Sequence, residues 1–279
     1  MKYTIITLTA LASPALAMAG QTCDPVAPSP TPAACNGSWS VEVAASHRWA
    51  TKNLLKSAGL SAEAGKQTLS GTIAAPGMKV DTNGVDITLV RNLSKRHSVN
   101  IRLGYATGDD CLTLGSGTIK SINSALGVPA GLESLTAKMN GAHASARIHN
   151  LSLMPGYRFT QTLTPRTSVY VGANVGIACT SIKGAISKEP YTAEGIAAGH
   201  HYQSNPHDSA FGFAYSLEAG VRYALAENVE VFAAYEFSGS SARPALDGTI
   251  GSESATAKAH LTTRRQAYNG IRLGLSRNF

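Results

Sequence analysis

Past residue 19 the sequence has no run near the roughly 18 consecutive apolar residues of a membrane-crossing helix, which leaves a soluble fold or a β-barrel. It has no helix-turn-helix, zinc-finger or RNA-binding signature, and its basic residues are scattered along the chain. The excess of 24 Lys+Arg over 17 Asp+Glu, a formal charge of +7, therefore does not read as a nucleic-acid footprint. No glycine-rich loop opens a helix to cradle phosphates, so no nucleotide cofactor is expected. His200, His201, His207 and Asp208 lack the regular spacing of a structural metal site and read as solvated loop residues. Cysteine is sparse: the four residues Cys23, Cys35, Cys111 and Cys179.

What is present begins with a targeting segment. Lys2 precedes an apolar stretch from Ile5 to Ala12, followed by Pro14 and small residues. Ala15-Leu16-Ala17 and Ala17-Met18-Ala19 both suit cleavage, so residues 1–19 read as a signal peptide. An exported chain with an even number of cysteines is expected to form disulfides. Residues 20–36, with Pro25, Pro28, Pro30 and Pro32, read as an extended segment with no core of its own. Residues 37–279 form the expected domain.

From Gly37 onward the texture is period-2 alternation, the mark of strands with one apolar and one polar face. Trp39, Val41, Val43, Ala45 and Trp49 oppose Ser40, Glu42, Ser46 and Arg48. Val85-Ile87-Leu89, Val99-Ile101-Leu103-Tyr105, Leu151-Leu153-Tyr157-Phe159 and Val169-Val171-Ala173-Val175-Ile177 continue the pattern. It returns from Phe211 to Tyr223, from Val229 to Phe237 and from Ile271 to Phe279, giving eight strands. Residues 50–79, 106–147, 178–209 and 239–265 are long connections, whereas 92–97, 161–167 and 225–228 are short turns. This asymmetry suits an up-and-down antiparallel transmembrane β-barrel with long outer loops. Gln67–Ile73 or Ser116–Ile122 would raise the strand count to ten if they joined the wall.

Three features turn the apolar row toward lipid. Trp39 and Trp49 stand at opposite ends of one strand, roughly 25 Å apart along the membrane normal for a tilt near 40°. Phe211 and Tyr223 bracket another and Phe279 ends the chain, as two interfacial aromatic girdles would require. The charges inside the strands, Glu42, Asp86, Glu218, Glu230 and Glu236 with Arg48, Arg102, Arg158, Arg222 and Arg272, all lie on the opposite row. Five charges of each sign can pair inside a narrow lumen, where an isolated charge costs several kcal/mol. Gly104, Gly156, Gly172, Gly176, Gly212, Gly220, Gly270 and Gly274 share that row and leave room for Arg and Tyr.

The signal peptide, the Leu153-Met154-Pro155-Gly156-Tyr157-Arg158-Phe159 and Val169–Gly176 strands and the terminal Phe279 resemble small outer-membrane barrels of the OmpA, OmpX and opacity-protein type. The resemblance implies residence in the outer membrane, contact with its lipid and lipopolysaccharide, and a C-terminal strand read by the barrel-assembly machinery. Ile271, Leu273, Leu275 and Phe279 match that C-terminal pattern; Arg277 departs from it.

On this topology Cys111 and Cys179 follow outward-running strands and could bridge at one rim, leaving Cys23 with Cys35. The expected function is non-enzymatic, with outer loops meeting a host or matrix ligand or neighbouring lipopolysaccharide. Lys52, Lys56, Lys66, Lys120, Lys138, Lys183 and Lys188 suit anionic headgroups there. A narrow porin-type channel is one alternative. The other is a lipid A-modifying enzyme, for which His149 and Ser152 are the nearest local pair.

Overall fold

A computed structural model describes residues 37–64, 67–74, 77–113, 143–187, 207–252 and 255–279, and among these described residues the alternation produces strands and no helices. The twelve strands are β1 (Trp39–Ala50), β2 (Leu55–Ala64), β3 (Gln67–Ala74), β4 (Thr82–Asn92), β5 (His97–Thr113), β6 (His143–Thr162), β7 (Thr167–Ser187), β8 (His207–Ala226), β9 (Val229–Ser240), β10 (Ala245–Ser252), β11 (Ala255–Thr263) and β12 (Gln266–Asn278). Eight close a barrel in the order β1-β12-β9-β8-β7-β6-β5-β4, every neighbour antiparallel and β4 returning to β1. Closure matters because a wall with no free edge leaves no ladder group to be satisfied by lipid.

Side-chain parity follows the sequence. Along β1 exposed and buried positions alternate from Trp39 to Ala50. Ile87, Ile101, Leu103, Leu151, Val171, Ile177, Leu217 and Leu273 stand on the outside with roughly half their surface uncovered. Glu42, Asp86, Arg102, Arg158 and Arg272 are buried inside. The arrangement is the inverse of a soluble core, and only a surrounding apolar solvent makes it favourable.

Three expectations require correction. The wall has eight strands, but Gln67–Ile73 does form a strand: β3 lies outside the barrel in a second sheet of order β10-β11-β2-β3. That sheet grows from the β1–β12 seam, through Thr51 N–H donating to Ala267 O (2.9 Å) and Arg264 N–H to Leu54 O (2.8 Å). The loops after β1 and before β12 are neighbours in space, so their ladder simply continues past the rim as β2–β11 pairing. Second, the walls are taller than the apolar alternation indicated: β6, β7 and β8 are 20, 21 and 20 residues long. Beyond the lipid belt, backbone pairing no longer needs an apolar face. Lys183 thus sits on β7, not in a loop. Third, Cys111 and Cys179 are free thiols. Cys111 is opposite Ser145 on β6 and Cys179 opposite Leu151. Six residues of strand, roughly 20 Å, separate those levels, and a disulfide tolerates a Cα separation of only about 7 Å. Residues 1–36, with the expected signal peptide, Cys23 and Cys35, and the segment Ser116–Ile122 lie outside the described residues, as do Lys66, Lys120, Lys138, Lys188, His200 and His201.

Candidate functional site

The lumen is built in layers. At the long-loop end Leu54, Leu55, Met78 and Val80 fold over Ala146, Ile148 and Ile182 into an apolar cap, with Leu261 against it. Below it Met154, Ala178 and Ala214 form a second apolar layer. The sequence reading missed this cap, since Leu54, Met78 and Val80 fall in what it treated as a connection. The signal was there in part: Ile148 and Ile182 are apolar residues at positions of lumen parity.

Beneath the cap the structure brings all ten charged residues together, from every wall strand except β7. Arg102 donates to Glu218 (2.6 Å) and Glu236 (2.9 Å). Arg272 meets the same Glu218 (2.5 Å) and also Asp86 (3.2 Å). Arg48 pairs with Asp86 (3.3 Å) and Glu236 (3.2 Å). Nearer the short turns Arg158 grips Glu42 with both terminal nitrogens, at 2.6 and 3.1 Å, the two-pronged geometry that makes such pairs strong. Arg222 bridges Glu42 and Glu230, and Arg158 links this group to Glu218. Arg102, Arg158 and Arg272 are at most 1% exposed, so each charge depends on these partners.

Two aromatic rings complete the filling. Tyr170 of β7 lies under the guanidinium groups of Arg158 and Arg222, at 4.6 and 4.9 Å. Phe232 of β9 lies under Arg222 and Arg272, at 5.5 and 5.7 Å. Each ring covers a cross-strand glycine: Tyr170 faces Gly220 and Phe232 faces Gly274. A Cβ on Gly274 would stand 2.6 Å from the Phe232 ring, and one on Gly220 2.8 Å from that of Tyr170. Phe232 escaped the sequence reading because Val231-Phe232-Ala233-Ala234 breaks the alternation. A cavity of about 300 Å³ remains at the turn end, closed inward by Arg158 and Arg222.

On the outside, Trp39, Tyr223 and Phe279 stand toward the turn end, and Trp49 and Phe211 toward the loop end, all exposed. Arg91 covers the Trp39 ring at 5.4 Å and Arg277 that of Phe279 at 5.5 Å. Arg277, which departs from the terminal pattern, is thereby accommodated.

The histidines sort by parity. His149 points outward, where its Nδ1 meets the Tyr105 hydroxyl at 2.8 Å, while Ser152 is buried on the lumen side. These two therefore do not converge. Ser181 Oγ and His207 Nε2 do meet, at 3.1 Å, but no group among the described residues orients the other ring nitrogen of His207. Asp208 faces the other way and accepts the Ala245 N–H at 2.7 Å. Among the described residues no three His, Cys, Asp or Glu converge as metal ligands.

Comparison with known proteins bears on all of the wall except β1. The profile of the family described as outer membrane protein beta-barrel domain matches residues 54–279. A search of curated protein sequences found no match. Similar solved structures include Ail of Yersinia pestis, in complex with the heparin analogue sucrose octasulfate (9% identity, 88% of this chain, 99% of that one, TM-score 0.32). OprG of Pseudomonas aeruginosa is another (9% identity, 88% and 96% covered, TM-score 0.39). The outer membrane protease OmpT of Escherichia coli is a third (8% identity, 87% and 97% covered, TM-score 0.41). The family profile, together with the closed wall and its apolar exterior, makes the protein a barrel of the outer membrane, its short turns on the periplasmic side and its long loops outside. With an antiparallel barrel and an apolar exterior, and a family profile spanning most of its length, the chain belongs to the outer membrane protein beta-barrel domain family.

Proposed function

We propose that this barrel is a non-conducting, non-enzymatic platform that acts through its outer loops. The observation that carries the reading is the filled lumen: an apolar cap from Leu54, Met78, Val80, Ile148 and Ile182 above a network of ten paired charges. A wall so filled has no path for solutes. What it offers is a rigid base for the outer sheet β10-β11-β2-β3, which projects from the β1–β12 seam. Its partners are outer-membrane lipid and lipopolysaccharide around the wall, the barrel-assembly machinery at the C-terminal strand, and a host or matrix ligand at the loops. Residues 1–19 are the cleaved export signal in this reading and residues 20–36 a periplasmic extension.

Planar-bilayer conductance of the refolded protein tests it, with heat-dependent gel mobility establishing that the barrel has formed. A folded, silent barrel is expected. Stable conductance steps would replace this reading with a narrow channel. A specific observation favours that rival: Arg48, Arg102 and Arg272 share the acceptors Asp86, Glu218 and Glu236, so alternative pairings are available to a gate.

A further inference from the structure

Two short turns at the periplasmic end are built alike. In Leu93-Ser94-Lys95-Arg96-His97 the Ser94 hydroxyl accepts the N–H groups of Arg96 (3.3 Å) and His97 (3.2 Å). In Leu163-Thr164-Pro165-Arg166-Thr167 the Thr164 hydroxyl accepts those of Arg166 (3.3 Å) and Thr167 (3.0 Å). Each turn thus holds an arginine at the same place, its backbone fixed by a side-chain acceptor. The first turn is also tied to β6, because Thr160 N–H donates to Arg96 O at 2.8 Å.

Lys95, Arg96 and Arg166 are exposed, and all three line the cavity of about 300 Å³ at the turn end. On its inner side the charges are already matched: Arg158 and Arg222 pair with Glu42, and Arg222 also with Glu230. The three turn cations are not matched. Among the described residues none of them forms an ion pair, and Glu230 is the sole carboxylate lining the cavity. Three like charges at one concave, low-dielectric mouth focus a positive field there. Ser40, Ser98, Thr160 and Ser168, also on the lining, bear hydroxyls that can donate to an anion.

We propose that this periplasmic mouth binds a small, multiply charged oxyanion, a phosphate or a polycarboxylate, held between the two turns. Lys95, Arg96 and Arg166 supply the charge, and the occupant relieves their mutual repulsion. The cavity has the volume of about ten water molecules, which suits a small solute. Its lining belongs to the lumen row, and Arg158 and Arg222 close it inward, so the occupant enters from the periplasm and not from the bilayer. The site lies at the opposite end from the outer loops and stands whether or not they bind a partner.

The test is isothermal titration calorimetry of the full-length refolded protein in an uncharged detergent at constant ionic strength. The probes are pyrophosphate, citrate, chloride and a soluble muropeptide from the cell wall. Wild type is expected to bind pyrophosphate or citrate roughly tenfold more tightly than R96A/R166A, which lacks two charged donors. Whichever of the two binds more tightly identifies phosphate or carboxylate as the favoured group. R147A/K183A, which removes two cations opposite each other at the loop end, is expected to match wild type. An equal loss in R147A/K183A would reveal a general response to net charge and overturn the site. Pyrophosphate and citrate binding no more tightly than chloride, or equally to wild type and a folded R96A/R166A, overturns the proposal. Muropeptide binding more tightly than either anion overturns the choice of a small occupant. Gel mobility reports folding, and R96Q alone carries the same comparison if the double variant does not fold.

Discussion

Arg102 and Glu218 meet at 2.6 Å across the lumen, from strands β5 and β8 that have β6 and β7 between them in the wall. Glu218 also receives Arg158 and Arg272, so one carboxylate ties together four strands that do not all touch through their backbones. The barrel is closed by ladder hydrogen bonds, but its interior is cross-braced by this residue.

Glu218→Gln removes the charge at that junction and leaves three arginines short of a partner. Breaking a buried pair costs about 3–5 kcal/mol, because the surviving charges stay desolvated. Urea denaturation in lipid vesicles should show a fall of that order. Replacing Glu230, whose side chain is partly exposed and which meets only Arg222, should cost far less.

Gly274→Ala places a methyl group against the Phe232 ring and the Val43 carbonyl. Overpacking of this kind costs about 1–3 kcal/mol. Adding Phe232→Leu should recover part of the loss, so that the double variant falls short of the sum of the singles. Strict additivity in urea midpoints would show that the ring and the glycine are not coupled.

Ile182→Ala hollows the outer cap. The residue is fully buried between β7 and the segments carrying Leu54 and Val80, and its truncation should cost about 2–5 kcal/mol. Conductance should nevertheless stay silent, because the charged layer beneath the cap is unchanged. Channel openings in this variant alone would mean that the cap is the sole seal.

Cys111 is exposed and Cys179 half-buried at the edge of the belt. A membrane-impermeant maleimide should label Cys111 in the folded, lipid-embedded protein and label Cys179 more slowly. Peptide mapping without reductant should recover no Cys111–Cys179 linkage; finding one would require β5 and β7 to be shifted by six residues relative to the observed register.

The eight wall strands and their inward and outward rows were legible in the chain, and with them the parity of the ten strand charges and of the aromatic residues at the strand ends. The physical reason is period 2: in a strand, parity alone assigns each side chain to a face, and lipid outside forces the apolar residues onto one parity. Glycine on the charged row was legible for the same reason. What required the tertiary structure is everything that depends on which strand lies next to which, and at what level. The pairing of Arg102 with Glu218 spans 116 residues, and nothing local in either strand encodes it. The cap unites Leu54 and Val80 with Ile148 and Ile182, segments whose apolar residues carry no strand period in common. The separation of Cys111 from Cys179, the outward growth of β2 and β11, and the alignment of Arg147, Lys183 and His207 in one row are matters of register. Register is set by the whole closed wall, where every strand's offset must agree with its two neighbours, and so it is decided only when the barrel closes.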